Sequence, residues 1–255
     1  MSKVRAKKHL GQHFLKDESI AERIAKTLSG DGYDKVLEIG PGMGVLTQFL
    51  LRQEYETWVV ELDGESVTWL QAHFPKLSNR ILHTDFLKHD FTREFGDEPY
   101  AIIGNFPYNI SSQIVFRVLE LRDQIPEFGG MFQKEVAVRI TTGPGSKDYG
   151  ILSVLCQAYY EVEYCFTVDE HVFDPPPKVK SGVMKMTRKG NDPDVEFKHL
   201  KMVVKTAFNQ RRKTLRNALK SLPFNHTEKT ESMLGQRAEQ LSYTDFVELT
   251  KALTL

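Results

Sequence analysis

Only two cysteines, Cys156 and Cys165, occur in 255 residues, and neither belongs to a metal-type spacing. That excludes a disulfide scaffold or a zinc module as the organising element, and it suits a reducing compartment. Long apolar runs are missing, so no segment is expected to span a bilayer. The opening residues are basic but lack the apolar segment of a secretory leader. A cytoplasmic protein with no membrane partner is the expectation. Net charge is absent too: 34 Lys plus Arg balance 34 Asp plus Glu, which excludes a uniformly basic nucleic-acid binder. There are no internal repeats and no low-complexity tracts. The length suffices for one α/β core with a small appended domain.

The zero balance hides segregated charge. Eight Lys or Arg and no acid fall between Lys198 and Lys220, and Lys3, Arg5, Lys7 and Lys8 precede the first acid, Asp17. Acids gather elsewhere, as from Asp90 to Glu98. Such a chain can present a basic face to phosphates, so RNA or DNA is an expected partner.

Four local patterns carry chemistry. Val36-Leu-Glu-Ile-Gly-Pro-Gly-Met-Gly-Val-Leu-Thr47 reads as a strand ending at Gly40 and feeding a helix. Its spacing is G-x-G-x-G; the dinucleotide fingerprint needs glycine where Val45 stands, so a nucleoside-binding turn without the usual pyrophosphate seat is expected. Trp58-Val-Val-Glu61 is a second strand ending in a carboxylate able to accept from both ribose hydroxyls. Arg80-Ile-Leu-His83 leads to Asp85, which can receive an adenine amino group beside Phe86. Tyr100-Ala-Ile-Ile-Gly104 runs into Asn-Phe-Pro-Tyr-Asn109. There the Asn105 oxygen can accept from an NH2, Pro107 stiffens the turn and the Tyr108 face can stack on a planar ring. Each piece alone would pass as an ordinary strand end. Their order gives them force, because open α/β sheets bind ligands at the carboxyl ends of successive strands.

Strand and helix signals alternate to about residue 158, after an amphipathic helix over 18–29, which implies a largely parallel sheet covered on both faces. Residues 159–166 and 182–187 read as strands that pair as antiparallel neighbours. Gly190-Asn-Asp-Pro193 is a linker by composition. Beyond it the spacing is helical: Phe197 to Phe208, then Leu215 to Leu219, then a last helix capped by Ser242.

The strand-end series resembles the class I S-adenosylmethionine-dependent methyltransferases, and Asn105-Phe-Pro-Tyr108 is similar to the (N/D)-x-P-(Y/F) loop of amino-methylating members. Further segments narrow the family. Lys7-Lys-His-Leu-Gly-Gln-His-Phe-Leu-Lys-Asp17, Val172-Phe-Asp-Pro-Pro-Pro-Lys-Val-Lys-Ser181 and Ala207-Phe-Asn-Gln-Arg-Arg-Lys-Thr-Leu-Arg-Asn217 resemble the N-terminal segment, the proline-rich loop and the basic C-terminal helix of dimethyladenosine transferases of the KsgA/RsmA type. Lys134-Glu-Val-Ala and Pro144 to Gly150 also fit, so the resemblance covers residues 7 to 253. His13 departs from the family's more frequent Asn, and Phe106 from its usual Leu.

The resemblance implies a Rossmann-like methyltransferase sheet, mostly parallel with an antiparallel edge hairpin, over 1–189 including a basic segment 1–17. It implies a small all-helical RNA-binding domain over 194–255. The implied reaction is S-adenosylmethionine-dependent N6,N6-dimethylation of two adjacent adenosines near the 3′ end of 16S ribosomal RNA in the small subunit. Carried over residue by residue, His13, Leu15, Gly40, Glu61, Asp85 and Asn105 meet the cofactor. Asn105, Pro107, Tyr108 and Phe173 surround the target base, with Phe173 covering the face opposite Tyr108. Lys7, Lys8, Arg211, Arg212 and Lys213 contact phosphates. No metal is implied, and a monomer is expected. Two related readings stay open: a single-site ribosomal RNA adenine-N6 methyltransferase, and a protein acting chiefly as a small-subunit assembly factor.

Overall fold

The strands form in chain order as β1 (Phe14–Leu15), β2 (Lys35–Ile39), β3 (Glu56–Glu61), β4 (Ile81–His83), β5 (Tyr100–Asn105), β6 (Glu127–Gln133), β7 (Tyr160–Val168), β8 (Phe173–Asp174) and β9 (Ser181–Arg188). The structure, a computed structural model, describes residues 4–7 and 10–254. Among these, seven strands make one sheet in the order β4-β3-β2-β5-β6-β9-β7, and β1 pairs with β8 in a separate ribbon. β2 runs parallel to both β3 and β5, β3 to β4, and β5 to β6, whereas β9 is antiparallel to β6. The sheet is therefore mostly parallel with an antiparallel edge, as the sequence implies.

Near-continuous apolar runs explain the central strands. Ala101, Ile102 and Ile103 of β5 and Val36 and Leu37 of β2 have no exposed surface. Burial of a branched side chain contributes about 1.5–3 kcal/mol, so both faces of these strands must be covered. From β2 the chain steps outward to β3 and β4, then returns to place β5 on the other flank of β2. Strand order reverses between β2 and β5, and the crevice at their carboxyl ends is where such sheets take ligands.

The helices are α1 (Glu18–Ala25), α2 (Thr47–Leu50), α3 (Gly64–His73), α4 (Thr92–Phe95), α5 (Ser111–Glu120), α6 (Lys134–Thr141), α7 (Ile151–Tyr159), α8 (Phe197–Asn209), α9 (Leu215–Ala218), α10 (Glu228–Leu234) and α11 (Tyr243–Lys251). Asp17 caps α1 through the amides of Ser19 and Ile20. That helix ends at Ala25, short of the expected 29, where the Thr27 hydroxyl bonds back to the Ile24 carbonyl at 2.7 Å and competes with the ladder.

Packing divides the chain into two compact units, Met1–Ala137 with Glu163–Arg188 and Val138–Val162 with Lys189–Leu255. The second unit gathers α7 with α8 and α11. Leu200, Val203, Val204 and Ala207 form the buried face of α8. Ser242 caps α11 reciprocally with Asp245, a capping box readable from sequence. Arg211-Arg-Lys213 falls in the turn between α8 and α9 rather than on a helix, because Gln210 leaves helical geometry at φ −121° and ψ 48°.

Candidate active site

The first unit holds a cavity of about 310 Å³ at the β2/β5 switch point. His13, Leu15, Gly40, Glu61, Asp85, Asn105, Pro107 and Tyr108 all line it. The volume suits a nucleoside-sized ligand. The turn after β2 forms its floor. Gly40 and Gly42 have φ of +66° and +56°, values that side-chain-bearing residues rarely adopt. A Cβ on Gly42 would come 2.8 Å from the Phe14 ring, and one on Gly40 would meet Pro107 at 3.8 Å. Glycine at 40 thus keeps open the gap between the floor and the β5 loop.

Glu61 closes β3 and is 5% exposed. One carboxylate oxygen accepts from the Gly42 amide at 3.1 Å and the other from the Asp63 amide at 2.8 Å. Burial pushes its carboxyl above the usual range, and those two amide bonds oppose the shift. Each oxygen keeps a lone pair for a further donor, so two vicinal hydroxyls still find acceptors. Asp85 accepts from the Leu87 amide at 3.0 Å and also reaches the cavity.

The β5 loop is held from several sides. The Phe106 amide bonds the Met131 carbonyl at 3.0 Å, continuing the β5–β6 pairing by one residue. The Phe106 ring, 1% exposed, stacks on Phe128 at 5.1 Å and turns away from solvent. Room for this ring comes from glycines: a Cβ on Gly130 would lie 2.7 Å from it and one on Gly104 2.9 Å. Asn105 donates from Nδ2 to the His13 carbonyl at 3.1 Å. A carbonyl can only accept, so this bond sets the amide orientation and leaves Oδ1 as the acceptor. The Tyr108 hydroxyl and Ser181 Oγ lie 2.5 Å apart, which fixes the ring. The His13 ring stacks against Tyr108, with centroids 5.5 Å apart and planes at 28°.

Glu38, absent from the sequence-derived set, also lines the cavity and is 1% exposed. The signal was present as a lone acid inside the apolar run Val36-Leu-Glu-Ile, two residues before the glycine turn. It accepts from the Thr47 hydroxyl at 2.6 Å. Burial raises its carboxyl to about 8; the Thr47 bond opposes this and the Glu61 charge adds to it. The folded state therefore holds this proton more tightly than the unfolded chain, whose value is near 4.5. Stability contributed by the neutral acid is complete below about 4.5 and is lost as pH rises toward about 8. A Glu38→Gln variant, which never ionises, should lack that slope. Its thermal midpoint relative to the native protein should rise between pH 5 and pH 9, by several degrees for a difference of a few kcal/mol. Parallel midpoint curves would refute the assignment.

Two sequence expectations need correction on position. Phe173 does not face the cavity: it is 1% exposed, pairs with Leu15 across the β1–β8 ribbon and packs in the core. Both belong to the same core cluster, but Leu15 also reaches the cavity and Phe173 does not. Lys7 is not a free cation for phosphates. Its ammonium sits between Asp63 and Glu65, 3.1 Å from the latter. Burial raises the Asp63 carboxyl, but bonds from Lys7 and Ser66 outweigh this and hold it below the usual range. Lys3 and Lys8 lie outside the described residues. In the second unit, Arg211 donates to the Ser146 carbonyl at 3.2 Å. Arg212 and Lys213 are exposed and make no ion pair among the described residues. No group of three or more His, Cys, Asp or Glu among the described residues is placed to hold a metal ion, and no helix there is long and apolar enough to cross a membrane.

The profile described as "Ribosomal RNA adenine dimethylase" matches residues 3–255. A protein of Flavobacterium johnsoniae named "Ribosomal RNA small subunit methyltransferase A" is 62% identical over 99% of this chain and 97% of its own length. A protein of the same name from Cytophaga hutchinsonii is 54% identical over 100% of this chain and 99% of its own. Among solved structures, a dimethyladenosine transferase from Plasmodium falciparum superposes with a TM-score of 0.80 at 24% identity, covering 95% of this chain and 100% of that one; it supports the fold. The 23S rRNA methyltransferase ErmE superposes with a TM-score of 0.71 at 28% identity, covering 94% and 99%. With the full-length profile match and relatives of this identity, the chain belongs to the ribosomal RNA adenine dimethylase family.

Proposed function

We propose that the protein transfers methyl groups from S-adenosylmethionine to N6 of two adjacent adenosines near the 3′ end of 16S ribosomal RNA in the small subunit, giving N6,N6-dimethyladenosine. The observation that carries this reading is the Asn105 amide, which lines a nucleoside-sized cavity and whose nitrogen is engaged by the His13 carbonyl, leaving Oδ1 as the acceptor. Support for the substrate class comes from relatives named as small-subunit methyltransferases. The cavity residues fit the cofactor. Glu61 would take the ribose hydroxyls, Asp85 the adenine amino group, and Gly40, His13 and Leu15 the methionine end. When bound, S-adenosylmethionine supplies an electrophilic methyl group.

The residues of the chain do the rest. Adenine N6 is a poor nucleophile because its lone pair is delocalised into the ring. Asn105 Oδ1 and the Pro107 carbonyl can each accept one N6–H; the latter already accepts from Ile110 at 3.2 Å and keeps a second lone pair. Holding both hydrogens favours a pyramidal nitrogen with its lone pair directed toward the cofactor side. Tyr108 supplies a fixed stacking face for a base that must leave its own stack. Alignment then supplies much of the rate. The alkylated nitrogen is acidic enough to lose its proton to water, so no strong base is required. A cysteine-nucleophile route is disfavoured, because neither cysteine lines the cavity and burial pushes the Cys156 thiol upward.

The test is transfer of labelled methyl to unmethylated small subunits, with nucleoside analysis. Dimethyladenosine supports the reading; monomethyladenosine alone supports a single-site enzyme. Absence of transfer despite tight subunit binding supports an assembly factor. Phosphate contacts are assigned to Arg212 and Lys213, the exposed cations of the α8–α9 turn. Replacing both with alanine should make the plot of log affinity against log salt shallower by about 1.5, since each phosphate contact contributes about 0.7–0.9. An unchanged slope in subunit binding would remove these residues from the interface.

A further inference from the structure

We propose that Trp69, which does not itself line the cavity, is a positioning residue for cofactor binding: its indole N–H holds the Met43 carbonyl and so fixes the glycine turn that floors the site. The inference rests on the S-adenosylmethionine reading above. Met43 lines the cavity, so the turn is held both from within the site and from outside it. Within, Glu61 accepts from the Gly42 amide at 3.1 Å. From outside, Trp69 Nε1 donates to the Met43 carbonyl at 3.2 Å. Gly42 and Gly44 flank Met43 at φ of +56° and +83°. A residue between two glycines has wide backbone freedom, and ordering it at the moment of binding costs affinity. An anchor outside the cavity removes that cost beforehand.

The sequence mounts the indole firmly. α3 follows β3 directly; the Asp63 amide bonds Glu61 at 2.8 Å and the Asp63 carboxylate caps the helix. Leu70 has no exposed surface and packs with Val59 and Leu77, which seats α3 on the sheet. Trp69 stands beside it, half-buried. One turn on, at the i+4 position, the His73 ring stacks on the indole with centroids 3.7 Å apart and planes at 15°. His73 Nδ1 lies 2.8 Å from the Trp69 carbonyl, which only accepts, so this nitrogen donates. These contacts come from α3 itself and need no ligand. Phe74 completes the approach. A Cβ on Gly44 would lie 2.3 Å from its ring, so glycine at 44 lets the end of α3 close on the turn. One helix thus joins the carboxylate at the ribose position to the glycine floor.

Calorimetric titration of the intact chain with S-adenosylmethionine tests this, alongside thermal unfolding without ligand. Trp69→Phe keeps a flat ring for His73 and removes the donor. Its affinity should fall about fivefold, the scale of one neutral hydrogen bond, while its thermal midpoint stays close to native. Trp69→Ala, which also loses the stack, should bind no better than Phe and melt earlier. In methyl transfer the loss should appear in the KM for the cofactor, with kcat retained once the cofactor saturates. A merely structural residue would lower the active fraction, and with it kcat, instead. Native affinity in Trp69→Phe would overturn the proposal, even if Trp69→Ala bound weakly, because packing of the ring would then suffice. If the native protein binds no S-adenosylmethionine, the cofactor reading itself fails, a result separate from any ranking of the variants.

Discussion

An Asn105→Ala variant should fold normally and lose methyl transfer by about a hundredfold or more, the scale of losing alignment at a reacting centre. Residue 105 ends β5, and its backbone pairs with Met131, so truncation leaves the strand intact. What disappears is the acceptor oxygen, together with the donor that ties the loop to the His13 carbonyl. Asn105→Asp separates the two. Aspartate keeps acceptor oxygens and even strengthens them, but it has no N–H for His13 and sets a carboxylate against a carbonyl. If the His13 bond orients the site, Asp should be as impaired as Ala. Labelled-methyl transfer with the cofactor saturating decides between them. An Asp variant close to the native rate would show that the acceptor alone suffices and that the His13 tie is incidental.

How far the site could be read from sequence depends on geometry that sequence periodicity does or does not encode. Gly40, Glu61, Asp85 and Asn105 were legible because each follows an apolar strand, and parallel strands bring their carboxyl ends to one edge. Glu38 was missed because it lies within its strand, where a carboxylate looks like an interruption of the core pattern rather than a group lining the cavity. The place of Phe173 over the base comes from the family resemblance alone, and nothing local shows which way a ring turns on a two-residue strand; its burial in the core cluster is visible only in the fold. Phe106 posed the opposite problem. Its departure from leucine is absorbed by Gly104, two residues earlier on β5, and by Gly130 on the neighbouring β6; the second lies 24 residues away, so only the fold shows the full compensation. Lys7 read as a free cation because Asp63 and Glu65 are more than fifty residues away.

Glu61→Ala should weaken cofactor binding about a hundredfold, because two hydrogen bonds to a charged acceptor are worth about 1.5–3 kcal/mol each and other contacts recover part of the loss. The structure adds a second cost. The Gly42 and Asp63 amides both end on this carboxylate, and Gly42 holds the floor of the cavity. Alanine leaves both N–H groups without their acceptor in a buried place, so the glycine turn loses its anchor as well as the ligand its partner. Glu61→Gln distinguishes these effects. Its one carbonyl oxygen can satisfy one amide, whereas its NH2 opposes the other and cannot accept from a ribose hydroxyl. Calorimetric titration with S-adenosylmethionine, alongside thermal unfolding without ligand, separates binding from anchoring. Anchoring predicts that both variants melt earlier than the native protein before any ligand is added, with alanine lower than glutamine. Equal midpoints with weakened binding would confine Glu61 to the ribose, and undiminished affinity in alanine would remove it from the cofactor site.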